Sequence, residues 1–211
     1  LAASRVGCIA WGSLLWDPRT LPLAEPFRPD GPRLPIEFSR VALDGRVTLV
    51  IDPRAEPVET FWATLAVDSL EAGIEALALR EGVAPERIGD WIGVETRTGG
   101  PGSAGQTPAG VRAGIAGWLA GRPLDAVLWT ALPSRRPDGR FERPDGAELL
   151  EHLGRLEGPA LARAEQYIRR APGRLRTPNR LRFESAFGWS PEGDPSNGAN
   201  GDDGENGKRG D

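Results

Sequence analysis

Apolar positions in this chain fall into two periodicities. Residues 6–11 form an unbroken apolar run, the pattern of a strand buried on both faces. Residues 34–42 and 47–52 flank Leu43-Asp44-Gly45-Arg46, and the Asp-Gly pair predicts a hairpin turn. Residues 58–67 alternate in part and are rich in β-formers; 91–98 and 126–131 complete a set of about six strands. Helical spacing takes over elsewhere. Asp68 or Ser69 caps a helix that runs to about Arg80, and a second covers residues 109–120. Asp145 starts a third, and Pro159 sits in the first turn of a fourth that ends before Pro172. Thr177-Pro178 reads as the cap and first turn of a last short helix. Strands and helices do not alternate strictly, so the expected class is α+β with one closed or nearly closed sheet, not a doubly wound sheet.

The expected domain spans residues 1–189. From Ser190 the chain reads SPEGDPSNGANGDDGENGKRGD, with no large apolar residue. Such a segment cannot bury enough surface to offset ordering entropy, so residues 190–211 are expected to be a disordered polar tail. GGPGSAGQ, residues 99–106, reads as a loop inside the domain.

Composition narrows the chemistry. Among 211 residues, 39% apolar and 27% charged, there is one cysteine, Cys8, and one histidine, His152. An internal disulfide and a thiolate-rich metal site are therefore excluded, and a Ser-His-Asp triad or a histidine zinc centre would have to run through His152 alone. No apolar run approaches the roughly 18 residues that cross a bilayer, and no basic-then-apolar leader opens the chain, so a cytoplasmic protein in a reducing compartment is expected. The net charge of −4 argues against a general nucleic-acid binder. Arg163, Arg169, Arg170, Arg174, Arg176, Arg180 and Arg182 nevertheless crowd one segment. Lys208 is the sole lysine, so the crowding is first of all compositional; an RNA or anion site is the other reading.

Two places carry candidate chemistry. Leu70, Ile74 and Leu77 form one helical stripe, and the next step of four reaches Glu81. A carboxylate thus stands where an apolar residue is expected, beside Gly82, a natural helix terminator. Desolvation and the helix dipole would both raise its pKa, as a general acid/base needs. Pattern alone leaves equally open that the helix frays and Glu81 points to water. The second place is Trp11-Gly12-Ser13-Leu14, where a strand delivers a small turn able to aim successive N–H groups at an anion or oxyanion. The plain reading of Gly-Ser after a strand is a turn, and no base stands beside Ser13 to make it a nucleophile.

GCIAWGSLLWDP resembles the Tyr-Gly-Ser-Leu loop that opens γ-glutamylcyclotransferase and ChaC-type enzymes. DGRVTLV, residues 44–50, resembles their Gly-Arg-Val and Thr-Leu segment. Phe61-Trp62-Ala63, followed by the helix ending Ala78-Leu79-Arg80-Glu81-Gly82-Val83, resembles the stretch bearing the family's catalytic glutamate. The motifs occur in family order over roughly the first 95 residues. The resemblance implies a compact mixed β-barrel with flanking helices. It also implies a cofactor- and metal-free enzyme that turns a small γ-glutamyl compound into 5-oxoproline plus the released amine. Glu81 would transfer protons, and Trp11, Gly12, Ser13 and Leu14 would bind substrate. Arg80 or Arg46 would meet a substrate carboxylate. The departures are Trp11 in place of the motif's tyrosine and no tyrosine shortly after Glu81, where Trp91 is the nearest aromatic; Tyr167 is the only tyrosine. They bear on substrate identity more than on fold. A non-catalytic binding module on the same fold is the alternative they favour.

Overall fold

The computed structural model describes residues 4–99 and 105–193. Six strands, β1 (Val6–Ala10), β2 (Arg28–Val41), β3 (Val47–Ile51), β4 (Pro57–Thr64), β5 (Ile92–Thr96) and β6 (Ala126–Thr130), form one sheet in the order β3-β2-β4-β1-β6-β5. Among the described residues six α-helices accompany it: α1 (Leu70–Glu81), α2 (Ile88–Trp91), α3 (Ala109–Ala120), α4 (Gly146–Gly154), α5 (Gly158–Arg170) and α6 (Pro178–Phe187). The α+β class is as expected. The closed barrel is not: β3 and β5 remain the sheet edges among the described residues. A single bridge, Arg40 to Arg135, ties β2 to the segment after β6.

Local chemistry explains most boundaries. Ser69 caps α1, its side chain accepting from the Ala72 N–H at 3.2 Å, and Gly82 ends it in the left-handed region at φ 65°. Asp145 and Glu148 close a capping box on α4, and Thr177 caps α6. The 42–46 turn is closed by a bond from the Ala42 N–H to the Arg46 carbonyl at 2.8 Å, with Gly45 at φ 88°. Two expectations fall short. Trp91 ends the short helix α2 instead of opening β5. β2 begins at Arg28, not near Leu34, pairing with β4 through its first half and with β3 through its second.

Strand alternation sends the core to both faces of the sheet. Val6, Cys8 and Ala10 of β1 and Leu128 of β6 pack with Leu77 and Ala78 of α1. Ile9, Val127 and Trp129 pack the other way, with Ile115, Leu153, Ile168 and Phe183 from α3 to α6. β1 is therefore buried along its whole length, as its unbroken apolar run predicts.

Residues 100–104 of the expected internal loop, and 194–211 of the expected tail, lie outside the described residues. The chain stays on the domain past Trp189: the Glu192 N–H donates to the Arg169 carbonyl at 2.9 Å. Among the described residues, no helix is long and apolar enough to cross a membrane.

Candidate functional site

β1 and β6 are the sheet's parallel pair, and both carboxyl ends open on a cavity of about 560 Å³. The cavity wall takes in Trp11, Gly12, Ser13 and Leu14 after β1, Arg46 beyond the hairpin turn, and Arg80 and Glu81 at the end of α1. All seven residues singled out in the sequence meet there, from three separate segments.

Glu81 is the last residue of α1, with its side chain 14% exposed. It does not stand alone at the end of an apolar stripe. Arg80 Nη1 donates to its Oε1 at 2.6 Å, and the Arg80 side chain is buried. Arg80 Nη2 also donates to Ser13 Oγ at 3.1 Å and to the Asp17 carbonyl at 2.6 Å, and Nε donates to that carbonyl at 3.2 Å. The guanidinium offered in the sequence reading to a substrate carboxylate is therefore engaged by protein. It clamps the residue 12–17 loop to the helix end and fixes the Glu81 carboxylate by a charge-assisted bond. The frayed, solvent-directed Glu81 is ruled out by the same contacts.

Ser13–Leu15 forms one 3₁₀ turn after Gly12. Its internal bonds use the N–H groups of Leu15, Trp16 and Asp17. Those of Gly12, Ser13 and Leu14 have no protein acceptor among the described residues. A Cβ on Gly12 would stand 2.7 Å from the Tyr167 hydroxyl, so any larger residue here would have to displace that ring. The Ser13 hydroxyl bonds Arg80 and has no base beside it.

The sequence reading missed the other side of the cavity. Tyr167, on α5, accepts from the Leu49 N–H at 3.4 Å and sets its ring edge-on to Trp16 at 5.4 Å. Burial pushes its hydroxyl up to about 12, and the Glu81 charge pushes the same way. Arg46 pairs with Asp44 at 2.8 Å and lies 5.5 Å from the Tyr167 ring centre. Arg170, one turn below Gln166, lies against Trp16 at 5.6 Å and makes no hydrogen bond or ion pair with the described residues. The available signal for this wall was the Ala164–Tyr167–Ile168 stripe of α5, which marks a buried face but not which cavity it borders. Cys8, close enough to feel Arg80 and Glu81, is fully buried, and that burial raises its thiol to about 12, so it is no nucleophile.

The arginine-rich segment does not form one surface. Arg180 is fully buried among carbonyls. Arg169 pairs with Glu165, Arg174 with Glu59 and Arg176 with Glu184, while Arg182 bonds Asn179. Arg170 alone of this group lines the cavity. No cluster of three or more His, Cys, Asp or Glu side chains suited to a metal ion occurs among the described residues.

Compared with known proteins, the chain matches no family model and no curated sequence.

Proposed function

We propose that this protein is a cytoplasmic γ-glutamylcyclotransferase-type enzyme acting on a small γ-glutamyl compound. The observation that carries the reading is the meeting, in one cavity, of the Glu81 carboxylate with three consecutive N–H groups that have no protein acceptor among the described residues. In the reaction the substrate's own α-amine attacks its γ-carbonyl. The new C–N bond closes the five-membered ring, the old C–N bond breaks, and 5-oxoproline and the free amine leave. Nucleophile and electrophile share one molecule, so holding a bent conformer supplies much of the rate. Glu81 takes the proton from the attacking amine and returns one to the departing amine. The N–H groups of Gly12, Ser13 and Leu14 hold the glutamyl carboxylate or the oxyanion. Arg80 holds Glu81 and the loop in place, and Arg46 borders the bound glutamyl group. The chemistry calls for no cofactor. The open sheet, drawn together by the Arg40–Arg135 bridge, is the counterpart of the family's barrel in this reading.

A second reading, a non-catalytic binding module, is favoured by the tight Arg80–Glu81 pair. Incubation with γ-glutamyl dipeptides, glutathione and γ-glutamylamines, followed by mass spectrometry, separates the two. Release of 5-oxoproline is expected; binding without release by any member of the panel would establish the module instead.

A further inference from the structure

Two cavities meet at one side chain. The larger is the candidate site, whose charged lining also takes in Arg19 and Arg40. The smaller, of about 160 Å³, is lined by Ile51, Pro53 and Pro133, by the Thr107 and Ser134 hydroxyls and by no charged residue among the described residues. Leu132 lines both. Two separate segments cross from one cavity to the other at this level. On β3, Leu49 lines the larger and Ile51 the smaller; beyond β6, Thr130 lines the larger and Ser134 the smaller, with Leu132 midway. Leu49 and Ile51 are two residues apart on one strand face, a step of about 7 Å, so the cavities lie side by side. The backbone at Leu132 is held from both directions. The Ala131 N–H donates to the Trp91 carbonyl at 2.7 Å, and the Arg135 N–H donates to the Ser39 carbonyl at 3.1 Å. The Leu132 side chain is half-buried, yet it belongs to neither hydrophobic cluster of the core among the described residues. The polar groups of the smaller cavity are already served. Thr107 Oγ1 accepts from Trp129 Nε1 at 2.8 Å, and the Ser134 and Ser39 hydroxyls bond each other at 3.0 Å. What this chamber has left to give a ligand is apolar contact.

We propose that Leu132 is a specificity-determining residue: it ends the larger cavity, limits the amine portion of the ligand to a short group, and closes off a chamber suited to an uncharged chain. This rests on the γ-glutamyl reading above. The glutamyl end lies on the loop after β1, where Trp16 and Tyr167 occupy the adjoining wall. The amine portion then runs along the neighbouring wall beyond β6, past Thr130 to Leu132. Removing the leucine side chain joins the two cavities without opening the core.

γ-Glutamylethylamide and γ-glutamyl-n-hexylamide differ by four methylenes on the amine portion. Stopped-flow tryptophan fluorescence, with Trp11 and Trp16 in the cavity wall, reads their binding before turnover. The wild type is expected to bind the hexyl compound no more tightly than the ethyl one. Leu132→Ala should bind the hexyl compound tenfold or more tightly than the ethyl one, and the ethyl one as the wild type does. Each methylene that enters an apolar chamber is worth about fourfold, so entry of two is enough. Leu132→Met, of nearly the same volume, should keep the wild-type ranking. Should Leu132→Ala not fold, Leu132→Val carries the same direction with a smaller gain. Adding Ser134→Leu to Leu132→Ala fills the chamber and should abolish the gain. A wild type that already prefers the hexyl compound tenfold, a ranking unchanged in Leu132→Ala, or a gain that survives Ser134→Leu overturns the assignment. The two proposals fail separately. The hexyl gain without 5-oxoproline from either compound removes catalysis and keeps Leu132; 5-oxoproline with an unchanged ranking does the reverse. Absence of binding by either compound to either protein removes both.

Discussion

Arg180 and Arg80 are both buried, with 0% and 6% of their surface exposed, yet their surroundings differ in kind. Arg180 sits where α5 turns into α6. Its two terminal nitrogens donate to the carbonyls of Ile168, Ala171 and Pro172 at 2.7–2.9 Å, groups left over where α5 ends. Its carboxylate contact, Glu184 at 3.3 Å, lies one turn on in the same helix. Arg80 sits at the cavity, and its partners are the carboxylate of the next residue, Glu81, and a hydroxyl and a carbonyl of the distant 12–17 loop. A cation surrounded by backbone can only hold the chain. A cation that grips a loop and an ionisable side chain also decides where those groups stand for a ligand. Of the two, only the second lines the cavity.

The sharpest way to break this contrast is at Glu81. Glu81→Gln keeps an acceptor for Arg80 but cannot take a proton. Release of 5-oxoproline should fall about 10²–10⁴-fold. Stability should fall by up to about 3–5 kcal/mol, because the buried Arg80 cation loses its carboxylate and keeps only neutral partners at Ser13 and Asp17. Retained turnover in the folded variant would return Glu81 to a purely structural role.

Arg180→Met tests the other side. It leaves buried carbonyls without donors, and a loss of about 3–5 kcal/mol in urea unfolding is expected, with ligand binding unchanged in whatever protein stays folded. A milder loss would mean the carbonyls find other donors.

Gly12→Val and Ser13→Ala separate backbone from side chain in the loop. The valine forces the Tyr167 hydroxyl aside, and binding of a γ-glutamyl compound should weaken tenfold or more, an estimate of about 1.4 kcal/mol for each factor of ten. Ser13→Ala removes one bond to Arg80 and leaves the N–H groups, so about 0.5–1.5 kcal/mol of stability should go with little change in binding. The opposite order would assign a role to the serine hydroxyl.

The smallest effect is expected at Glu37, a buried carboxylate that no arginine contacts among the described residues. It accepts from the Phe38 N–H at 2.7 Å and from the Asn179 N–H at 3.3 Å. Burial raises its pKa above the ordinary 4.5 despite these bonds. The unfolded chain then ionises more readily than the folded one. Its contribution to stability is complete below the unfolded value and is lost as pH rises through the folded value. In paired melting curves, Glu37→Gln should gain on the wild type as pH climbs from 4.5 toward neutrality. A constant difference across that range would show that Glu37 titrates alike in both states.

Most elements were legible because their signals are local. Ser69, Asp145 and Thr177 announce helix starts through the chemistry of their own side chains, and Asp44-Gly45 announces its turn. The first part of β2 was hidden by Pro29, Gly31 and Pro32, which read as loop. It is held by a register break, by the Thr60 hydroxyl on the Pro32 carbonyl at 2.6 Å, and by Gly31, where a Cβ would meet the Thr60 backbone at 2.8 Å. Closure of the sheet could not be read, because it depends on pairing between strands far apart in sequence. The position of Glu81 was legible as a break in a helical stripe. Its partner was not, since neighbouring residues on a helix ordinarily face apart and meet here only at the helix end. Tyr167, Arg40 and Arg170 were missed for a related reason: each reaches the cavity from an element whose own pattern reports only burial.

Tyr167 has a spectroscopic consequence. It is the only phenol in the chain, and it stands in the cavity wall with its hydroxyl against Gly12. Biosynthetic incorporation of fluorotyrosine would therefore place a single ¹⁹F nucleus in the whole molecule, beside the loop where a ligand would lie. One resonance line, with no assignment problem, would report occupancy, exchange rate and any displacement of α5 in the same titration. With the hydroxyl pushed up to about 12, ionisation of the ring would not confuse that line at physiological pH.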